Sequence, residues 1–450
     1  MPDYSKKRFL VIDDQPQARD ALRTIAQQLG AFSVEFAANY QDAIFRIRNN
    51  TPDIILCDYM LGEGRSGQQL LEELRRFNLL PDETIFMMVT GEQSYEQVVS
   101  AVELIPDDYI IKPFSPDKLL LRLDRIVAKK LFFAGYYREK RKQEYANALA
   151  ILEAQRDSEA GRPYRFEILR QRAEVYLASG DLKSAETAYR SILETYEFPW
   201  ARAGVARSLH KQNRLQEARS EIDRVVAATP HFFDAGDLKA SICMAQGEHA
   251  EAQQILDDMA RKTPRNYVRK RLLAEAATLN GDTEAALAAM ADVIANDTMP
   301  GAISVEDRLA AARSHVNAGD KITAEKVLLG LRDTEVQKMD LAEQASFAAL
   351  LAISSLEKGK IRFAGLRPAM LNTDFDAVHR VDIMSAALSL NDRELADRQA
   401  EQLMTGPDAK KVFGKLRAQY ALHGREMDLR EIQRQVAFKR IKQEETPATG

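Results

Sequence analysis

Four short, mainly apolar runs in the first quarter of the chain each end in a polar residue. The runs are Phe9–Ile12, Ile54–Cys57, Ile85–Val89 and Asp108–Ile111. The residues that follow them are, in the same order, Asp13 with Asp14, Asp58, Thr90, and Lys112 with Pro113. Such runs are typical of buried strands, and the carboxyl ends of parallel strands share the sheet edge at which ligands bind. Carboxylates, a hydroxyl and an ammonium at one edge predict a site for a divalent cation and a phosphoryl group.

Helical patterns alternate with these runs. Apolar residues recur at helical spacing in Gln17–Leu29, Tyr40–Arg48, Gln68–Phe77, Ser94–Leu104 and Leu119–Val127. Ser115 and Pro116 are typical of the start of the last helix, and a shorter run, Ser33–Phe36, supplies one more strand. Strict alternation of strands and helices predicts an α/β domain with a doubly wound, five-stranded parallel sheet of the flavodoxin-like type.

The polar residues suit phosphoryl chemistry. Mg²⁺ prefers oxygen ligands, so Asp13 or Asp14, together with Asp58, can bind it through carboxylate oxygens. A carboxylate beside that cation can attack a phosphoryl group and form an acyl phosphate. Lys112 can offset the charge that builds on the transferring oxygens, and Thr90 can donate a hydrogen bond to one of them.

Taken together, these residues resemble the signature of a response-regulator receiver domain. The resemblance covers about residues 7 to 130. It implies that Asp58 is the phosphoacceptor and that Lys112 is the phosphate-binding cation. The ligands implied for Mg²⁺ are Asp13, Asp14, Asp58 and the backbone carbonyl of Met60. The implied switch residues are Thr90 and Tyr109, and the implied cis peptide bond is the one before Pro113.

One loop departs from the family pattern. Gly62 stands where the family has a proline, and the loop that ends at Gly67 is about one residue longer. Because glycine adopts conformations closed to other residues, we expect this loop to be more flexible than its counterparts.

Past residue 130 the strand patterns stop and a repeat of about 34 residues begins. The turn residues that recur are Gly180, Asn213, Gly247, Gly281 and Gly319. Alanine lies seven positions before and five positions after each turn, and a large residue lies nine positions after it. The pattern resembles the tetratricopeptide repeat, in which pairs of antiparallel helices stack into an all-α solenoid.

The flanks of this repeat are less regular. Ala352 and Ala364 around Gly359 fit a degenerate sixth unit, and Asn391 with Ala396 fits a seventh. We expect a capping helix pair within residues 408–442. The domain boundaries predicted are a receiver at 1–130, connecting helices at 131–160, a solenoid at 161–442 and a disordered tail at 443–450. The last receiver helix is expected to run on through 131–142 and join the domains rigidly.

Solenoids of this type bind peptides or protein surfaces in a concave groove. The candidate groove residues are Arg170, Trp200, Arg207, Arg271 and Arg313. Arginines in a groove would suit an acidic peptide. Solvated helix faces are the alternative interpretation of the same residues.

Composition narrows the function classes. The net charge is −4 with 29% charged residues, which does not favour a nucleic-acid binder. The chain has two cysteines, a polar N-terminus and no apolar stretch of membrane-spanning length, so we expect a cytoplasmic protein with no membrane partner. The scattered histidines form no metal-binding pair, which argues against an enzyme.

These observations predict a response regulator of a two-component phosphorelay. Its expected partners are a sensor histidine kinase or phosphotransfer protein, which phosphorylates Asp58, and a protein or peptide target bound by the repeats. A homodimer is compatible with the same features. The alternatives that stay open are a DNA-binding transcriptional regulator, an enzyme under receiver control, and a scaffold that works without phosphorylation.

Overall fold

The computed structural model of the protein describes residues 3–62, 66–76, 79–91, 106–230, 232–263, 266–295, 303–331, 333–354, 358–406 and 409–444. The chain forms two compact units, residues 1–242 and residues 243–450. The first unit contains a parallel sheet with its helices, followed by helical repeats, and the second is helical throughout its described residues.

The sheet has five parallel strands in the order β2-β1-β3-β4-β5. The strands are β1 Arg8–Ile12, β2 Ser33–Ala37, β3 Ile54–Asp58, β4 Ile85–Thr90 and β5 Asp108–Ile111. Every residue of β3 and β4 is buried, as is typical of central strands covered on both faces. The predicted α/β fold class and all five strands are confirmed.

Helices flank the sheet at the predicted positions. Three of them are α1 Pro16–Gln28, α2 Tyr40–Asn50 and α3 Gly67–Arg76. The side chain of Asn39 accepts a hydrogen bond from the Asp42 amide at the start of α2, which satisfies one of the unpaired donors of the first turn. The helix predicted over Ser94–Leu104 lies outside the described residues.

A single helix of 26 residues, Pro116–Arg141, links the sheet to the repeats and is called the connecting helix below. It begins with Ser115, whose side chain caps the Lys118 amide. Its first half packs Leu119 and Leu123 into the core of the sheet. Its second half packs Phe133 into a separate core formed with the first repeat helices. The continuous helix is as predicted, and the boundary predicted at residue 130 falls inside it.

The helical region follows in antiparallel pairs. In the first unit its helices are Tyr145–Arg156, Arg165–Ala178, Leu182–Leu193, Pro199–Lys211 and Leu215–Ala228, with a 3₁₀ segment at Glu159–Tyr164. Phe233–Gln246 spans the division between the units. The helices of the second unit are His249–Lys262, Tyr267–Asn280, Thr283–Ala295, Val305–Asn317, Lys321–Leu329, Asp333–Val336, Leu341–Ser354, Lys358–Asn372, Ala377–Ser389, Arg393–Thr405, Ala409–Leu422 and Glu426–Glu444.

The repeat pattern is confirmed at its five regular turns. Each turn residue has a left-handed backbone, with φ between 60° at Asn213 and 86° at Gly247. The alanines at the two recurring spacings are all buried, and so are the larger residues nine positions after each turn. Small residues are required where two helices meet, because a Cβ atom added at Gly204 would lie 2.4 Å from the ring of Tyr189.

The predicted sixth unit has the wrong register. Ala364, expected to be a packed small residue, is exposed, and Gly359 lies inside helix Lys358–Asn372 rather than in a turn. Gly359 itself makes the close helix contact, since an added Cβ would lie 2.5 Å from the Ala352 amide nitrogen. Phe363, four residues later, is the buried large residue. The seventh unit is confirmed, with a left-handed Asn391 and a buried Ala396.

Two further outcomes concern the end of the chain and the bilayer. The predicted final helix pair is present as Ala409–Leu422 and Glu426–Glu444. The tail was predicted at 443–450, but residues 443 and 444 belong to the last helix, and the rest of the predicted tail lies outside the described residues. None of the helices in the described ranges has the length and apolar character needed to cross a membrane.

Candidate functional site

Three aspartates meet at the carboxyl edge of the sheet. Asp13 follows β1, Asp58 ends β3, and these strands are neighbours with Ile12 opposite Cys57. Carboxylate oxygens of Asp13, Asp14 and Asp58 all lie within 4.8 Å of one another. Asp13 is fully buried and Asp58 is 9% exposed, whereas Asp14 is open to solvent. The sheet topology therefore brings together the three acids that the sequence singled out.

Lys112 reaches the same point from the end of β5. Its Nζ atom lies 2.7 Å from Asp13 Oδ2 and 3.4 Å from Asp58 Oδ1. The peptide bond between Lys112 and Pro113 is cis. One ammonium thus contacts two carboxylates and leaves a net negative charge on the cluster.

Burial and the neighbouring charges shift the pKa values of Asp58 and Lys112. Burial raises the pKa of Asp58 to about 6, with the nearby charge of Asp13 adding to the rise and Lys112 partly offsetting it. Burial by itself would lower the pKa of Lys112, but its hydrogen bond to Asp13 and the charge of Asp58 outweigh that effect and raise it. Lys112 is therefore a cation at neutral pH, and Asp58 takes up a proton as the pH falls through about 6.

The two predicted switch residues lie at different depths. Thr90 ends β4 and is 5% exposed, while Tyr109 on β5 is 38% exposed. Met60 projects its side chain to solvent, and its backbone pairs with Ser66 across the loop that follows Asp58. Residues 63–65 of that loop lie outside the described residues.

Gly67 packs closely against the backbone of Asp58, and sequence reasoning did not predict this contact. A Cβ atom there would lie 2.3 Å from the Asp58 carbonyl oxygen and 2.7 Å from Cys57 Sγ. The Gly67 amide also donates to the Tyr59 carbonyl at 2.8 Å. Gly67 therefore gives space for close packing beneath Asp58. The expected flexibility of the loop stays a prediction. The sequence offers one signal for this close packing, which is the position of Gly67 at the end of the loop that follows Asp58.

Cys57 is not a rival nucleophile. Burial, followed by the charges of Asp58 and Asp13, holds the pKa of its thiol well above the usual range. The thiol stays protonated and donates a hydrogen bond to the Asp58 carbonyl oxygen at 3.3 Å. Of the two carboxylates that Lys112 contacts, Asp58 is the one with access to solvent, because Asp13 is fully buried.

Comparison with known families bears directly on this segment. The model of the family described as "Response regulator receiver domain" matches residues 9–124. Residues 9–124 are a response-regulator receiver domain. A receiver domain implies a cognate histidine kinase, and an acidic cluster such as Asp13, Asp14 and Asp58 is typical of its Mg²⁺ site.

Relatives of the receiver domain cover only part of the chain. The phosphate regulon transcriptional regulatory protein PhoB of Escherichia coli is 34% identical over 123 residues, which are 27% of this chain and 52% of PhoB. The chain thus spans about half the length of the curated relatives it matches.

Solved structures similar to this chain include a receiver domain and a tetratricopeptide repeat protein. The receiver domain of the Francisella response regulator 1452 is 27% identical and covers 28% of this chain and 98% of its own, with a TM-score of 0.25. A tetratricopeptide repeat protein from Parabacteroides merdae is 13% identical and covers 57% of this chain and 97% of its own, with a TM-score of 0.41.

The candidate groove arginines outside the receiver domain divide into two groups. Arg271 forms an ion pair with Asp307, and Arg313 forms a bidentate pair with Asp382, and in both pairs the carboxylate is almost fully buried. The expectation that these two arginines are available to an acidic peptide is therefore wrong, because neighbouring helices already supply their carboxylates.

In the first unit the candidate groove residues are less fully engaged in ion pairs with buried carboxylates. Arg170 pairs with Glu174 on its own helix at 2.8 Å, and its guanidinium lies 5.8 Å from the centre of the Trp200 ring. Arg207 is half-buried on the next helix pair. These three side chains, Arg170, Trp200 and Arg207, remain candidates for binding.

Proposed function

We propose that the chain is a response regulator of a two-component phosphorelay, which accepts a phosphoryl group on Asp58 and signals through protein contacts of its repeats. The observation that carries this is the cluster of three carboxylates within 4.8 Å, with Lys112 Nζ at 2.7 Å from Asp13 and 3.4 Å from Asp58. The donor is a phosphohistidine on a sensor kinase or a phosphotransfer protein, as the receiver fold implies.

In the proposed transfer, a carboxylate oxygen of Asp58 attacks the phosphorus atom. The new O–P bond forms as the P–N bond of the donor breaks, and the leaving imidazole takes up a proton. Lys112 offsets charge on the transferring oxygens, and the Thr90 hydroxyl donates a hydrogen bond to one of them. Asp13 keeps Lys112 in place through the 2.7 Å contact.

The residues present fit a magnesium ion. Asp13, Asp14 and Asp58 supply oxygen ligands, and the Met60 backbone carbonyl is proposed as a further one. Bound Mg²⁺ would neutralise the carboxylates and the incoming phosphoryl oxygens. Without that charge, the chain itself holds three carboxylates against one ammonium at this point.

Magnesium affinity is expected to fall when the pH falls through 6. The reason is that the pKa of Asp58 is raised to about 6, so below that pH protons compete with Mg²⁺ for its carboxylate oxygens. Between pH 7.5 and pH 5.5 its ionised fraction drops about fourfold, and the Mg²⁺ dissociation constant should rise by about the same factor. Titration calorimetry at both pH values measures this, and equal affinities would contradict the proposed role of Asp58.

Phosphorylation is proposed to act through the two switch residues. The added charge and acceptor oxygens on Asp58 attract the Thr90 hydroxyl, and Tyr109, which is 38% exposed, moves inward after it. The surface near β4 and β5 changes as a result.

The repeats are proposed to form the output. Arg170 offers a cation beside the Trp200 ring, and Arg207 lies on the same helix as Trp200. Such a set of side chains suits an acidic segment of a protein. A DNA-binding output is the second candidate, since the curated relatives are named as transcriptional regulators. The net charge of −4 favours a protein partner.

A direct binding comparison separates the two outputs. The full chain, treated with acetyl phosphate and Mg²⁺, is titrated with a labelled glutamate-rich peptide and with a mixed-sequence DNA duplex. We expect the peptide to bind and charge reversal at Arg207→Glu to weaken it, because an attractive contact becomes repulsive. Arg261→Glu, at an exposed arginine of the second unit, is the matched control and should bind as the wild type does. A DNA shift without peptide binding would favour the transcriptional alternative.

A further inference from the structure

Acidic residues at the sheet edge opposite the aspartate cluster contact the connecting helix. Asp82 precedes β4, and Asp107 directly precedes β5. Lys130 of the connecting helix reaches both, since its Nζ atom lies 2.6 Å from the Asp82 carbonyl oxygen and 2.8 Å from Asp107 Oδ1. Lys130 thus ties together the starts of the two strands whose other ends carry Thr90 and Lys112.

This contact is shielded from water, unlike its neighbours. The Lys130 and Asp107 side chains are 13% and 16% exposed. Lys140 with Asp82 and Arg141 with Glu83 form a second group of pairs, each more than a third exposed. Exposed pairs of that kind contribute little, so Lys130 is the best shielded of these contacts. Arg122 of the same helix also pairs with Asp108 at the start of β5, at 2.6 Å, but its side chain is 33% exposed.

Asp107 is itself fixed to the sheet. Its Oδ2 atom accepts a hydrogen bond from the Phe86 amide at 2.9 Å, and its amide donates to the Phe86 carbonyl at 2.8 Å. A displacement of β4 or β5 along the sheet therefore moves the carboxylate that Lys130 contacts.

The preceding residue of the connecting helix, Lys129, contacts the first repeat. Its Nζ atom lies 3.3 Å from Glu167 Oε2, and two turns further on the Tyr136 hydroxyl donates to Gln171 Oε1 at 2.5 Å. Glu167 and Gln171 are joined at 2.7 Å on helix Arg165–Ala178. Two adjacent lysines thus bind the receiver domain on one side and the repeats on the other.

We infer that Lys130 couples the phosphoryl site to the repeats, by transmitting shifts of β4 and β5 to the connecting helix. This inference rests on the proposed phosphorylation of Asp58. The route runs from Thr90 and Lys112 through their strands to Asp82 and Asp107, and from Lys130 along the helix to the Lys129 contact with Glu167. The signal leaves the receiver domain at the edge opposite to the one where it arrives.

Hydrogen exchange of the full chain tests the coupling, with beryllofluoride and Mg²⁺ as the phosphoryl mimic. In the wild type we expect the mimic to change amide exchange in residues 85–90 and also in residues 131–178. Lys130→Met keeps the length of the side chain and removes its charge, so it should keep the change at 85–90 and lose the change at 131–178. Asp107→Asn removes the opposite charge while its side-chain oxygen can still accept from Phe86, and should act in the same way. Asp107→Asn replaces Lys130→Met as the test variant if Lys130→Met fails to fold.

Lys142→Met is the matched control, because Lys142 pairs with Glu139 on its own chain segment at 3.4 Å and should keep both changes. A response past residue 131 in both charge-removing variants, or no such response in the wild type while residues 85–90 respond, overturns the coupling. A loss in Lys142→Met as complete as in Lys130→Met also overturns it. No response at residues 85–90 in the wild type overturns the proposed phosphoacceptor itself, and the coupling with it.

Discussion

Replacing Asp58 by asparagine is expected to abolish phosphoryl uptake by the chain. The amide keeps the shape of the side chain but is neutral and is a poor nucleophile, so it cannot form the acyl phosphate. It also removes one of the three carboxylates of the acidic cluster. The measurement is the intact mass of the chain after incubation with acetyl phosphate and Mg²⁺.

The wild type should gain one phosphoryl group in that assay, and chelation of Mg²⁺ by EDTA should prevent the gain. Asp53→Asn is the matched control, because Asp53 lies before β3 and pairs with Lys7 and Arg8 rather than with the cluster. It should be phosphorylated as the wild type is. Stable phosphorylation of Asp58→Asn would show that another residue is the phosphoacceptor.

The second large effect is expected at the ion pair between Arg313 and Asp382. These residues are 69 positions apart on helices Val305–Asn317 and Ala377–Ser389, with Arg313 Nη2 2.7 Å and Nε 2.8 Å from the carboxylate oxygens. Their side chains are 14% and 3% exposed. Helix Leu341–Ser354 lies between them in sequence, and its buried alanines allow its neighbours to approach closely.

Arg313→Met is therefore expected to lower the free energy of unfolding of the second unit by about 3–5 kcal/mol, because Asp382 is left as a buried charge without its partner. The double variant Arg313→Met/Asp382→Leu should recover most of the loss, since an apolar pair of similar size leaves no buried charge. Urea unfolding of the full chain, followed by helical circular dichroism, measures both.

Arg261→Met is the control in the same unit. Arg261 pairs with acids of its own helix and its side chain is 64% exposed, so the urea transition should not move. An unchanged transition in Arg313→Met would mean that water reaches Asp382 in solution. A double variant as unstable as Arg313→Met would mean that packing, rather than the unpaired charge, causes the loss.

These two effects differ in how far the sequence anticipates them. Asp58 was predicted because every parallel strand ends at the same edge, so residues at the ends of strands are brought together whatever the rest of the sheet does. The pair of Arg313 with Asp382 was not predicted, because it depends on which faces meet among three helices that other helices separate along the chain. The sequence indicated Arg313 as a candidate groove residue but did not indicate the carboxylate that it contacts.

The same contrast explains the repeat region. Regular turns such as Gly180 and Asn213 were found because a chain reversal requires a residue that tolerates positive φ, which is a local demand. The sixth unit was misplaced because Gly359 resembles a turn residue but provides close packing against Ala352. Glycine serves both needs, and only the partner helix distinguishes them.

The sequence by itself determined the five strands, the acidic edge with Lys112, the receiver family and the period of the repeats, since each depends on local pattern or on a general rule of parallel sheets. The tertiary structure alone decided the depth of Asp58, the space that Gly67 leaves beneath it, and the contacts of Lys130 with Asp107. Those features depend on contacts between different segments of the chain, and the distances in them follow from tertiary packing, which local sequence patterns do not predict.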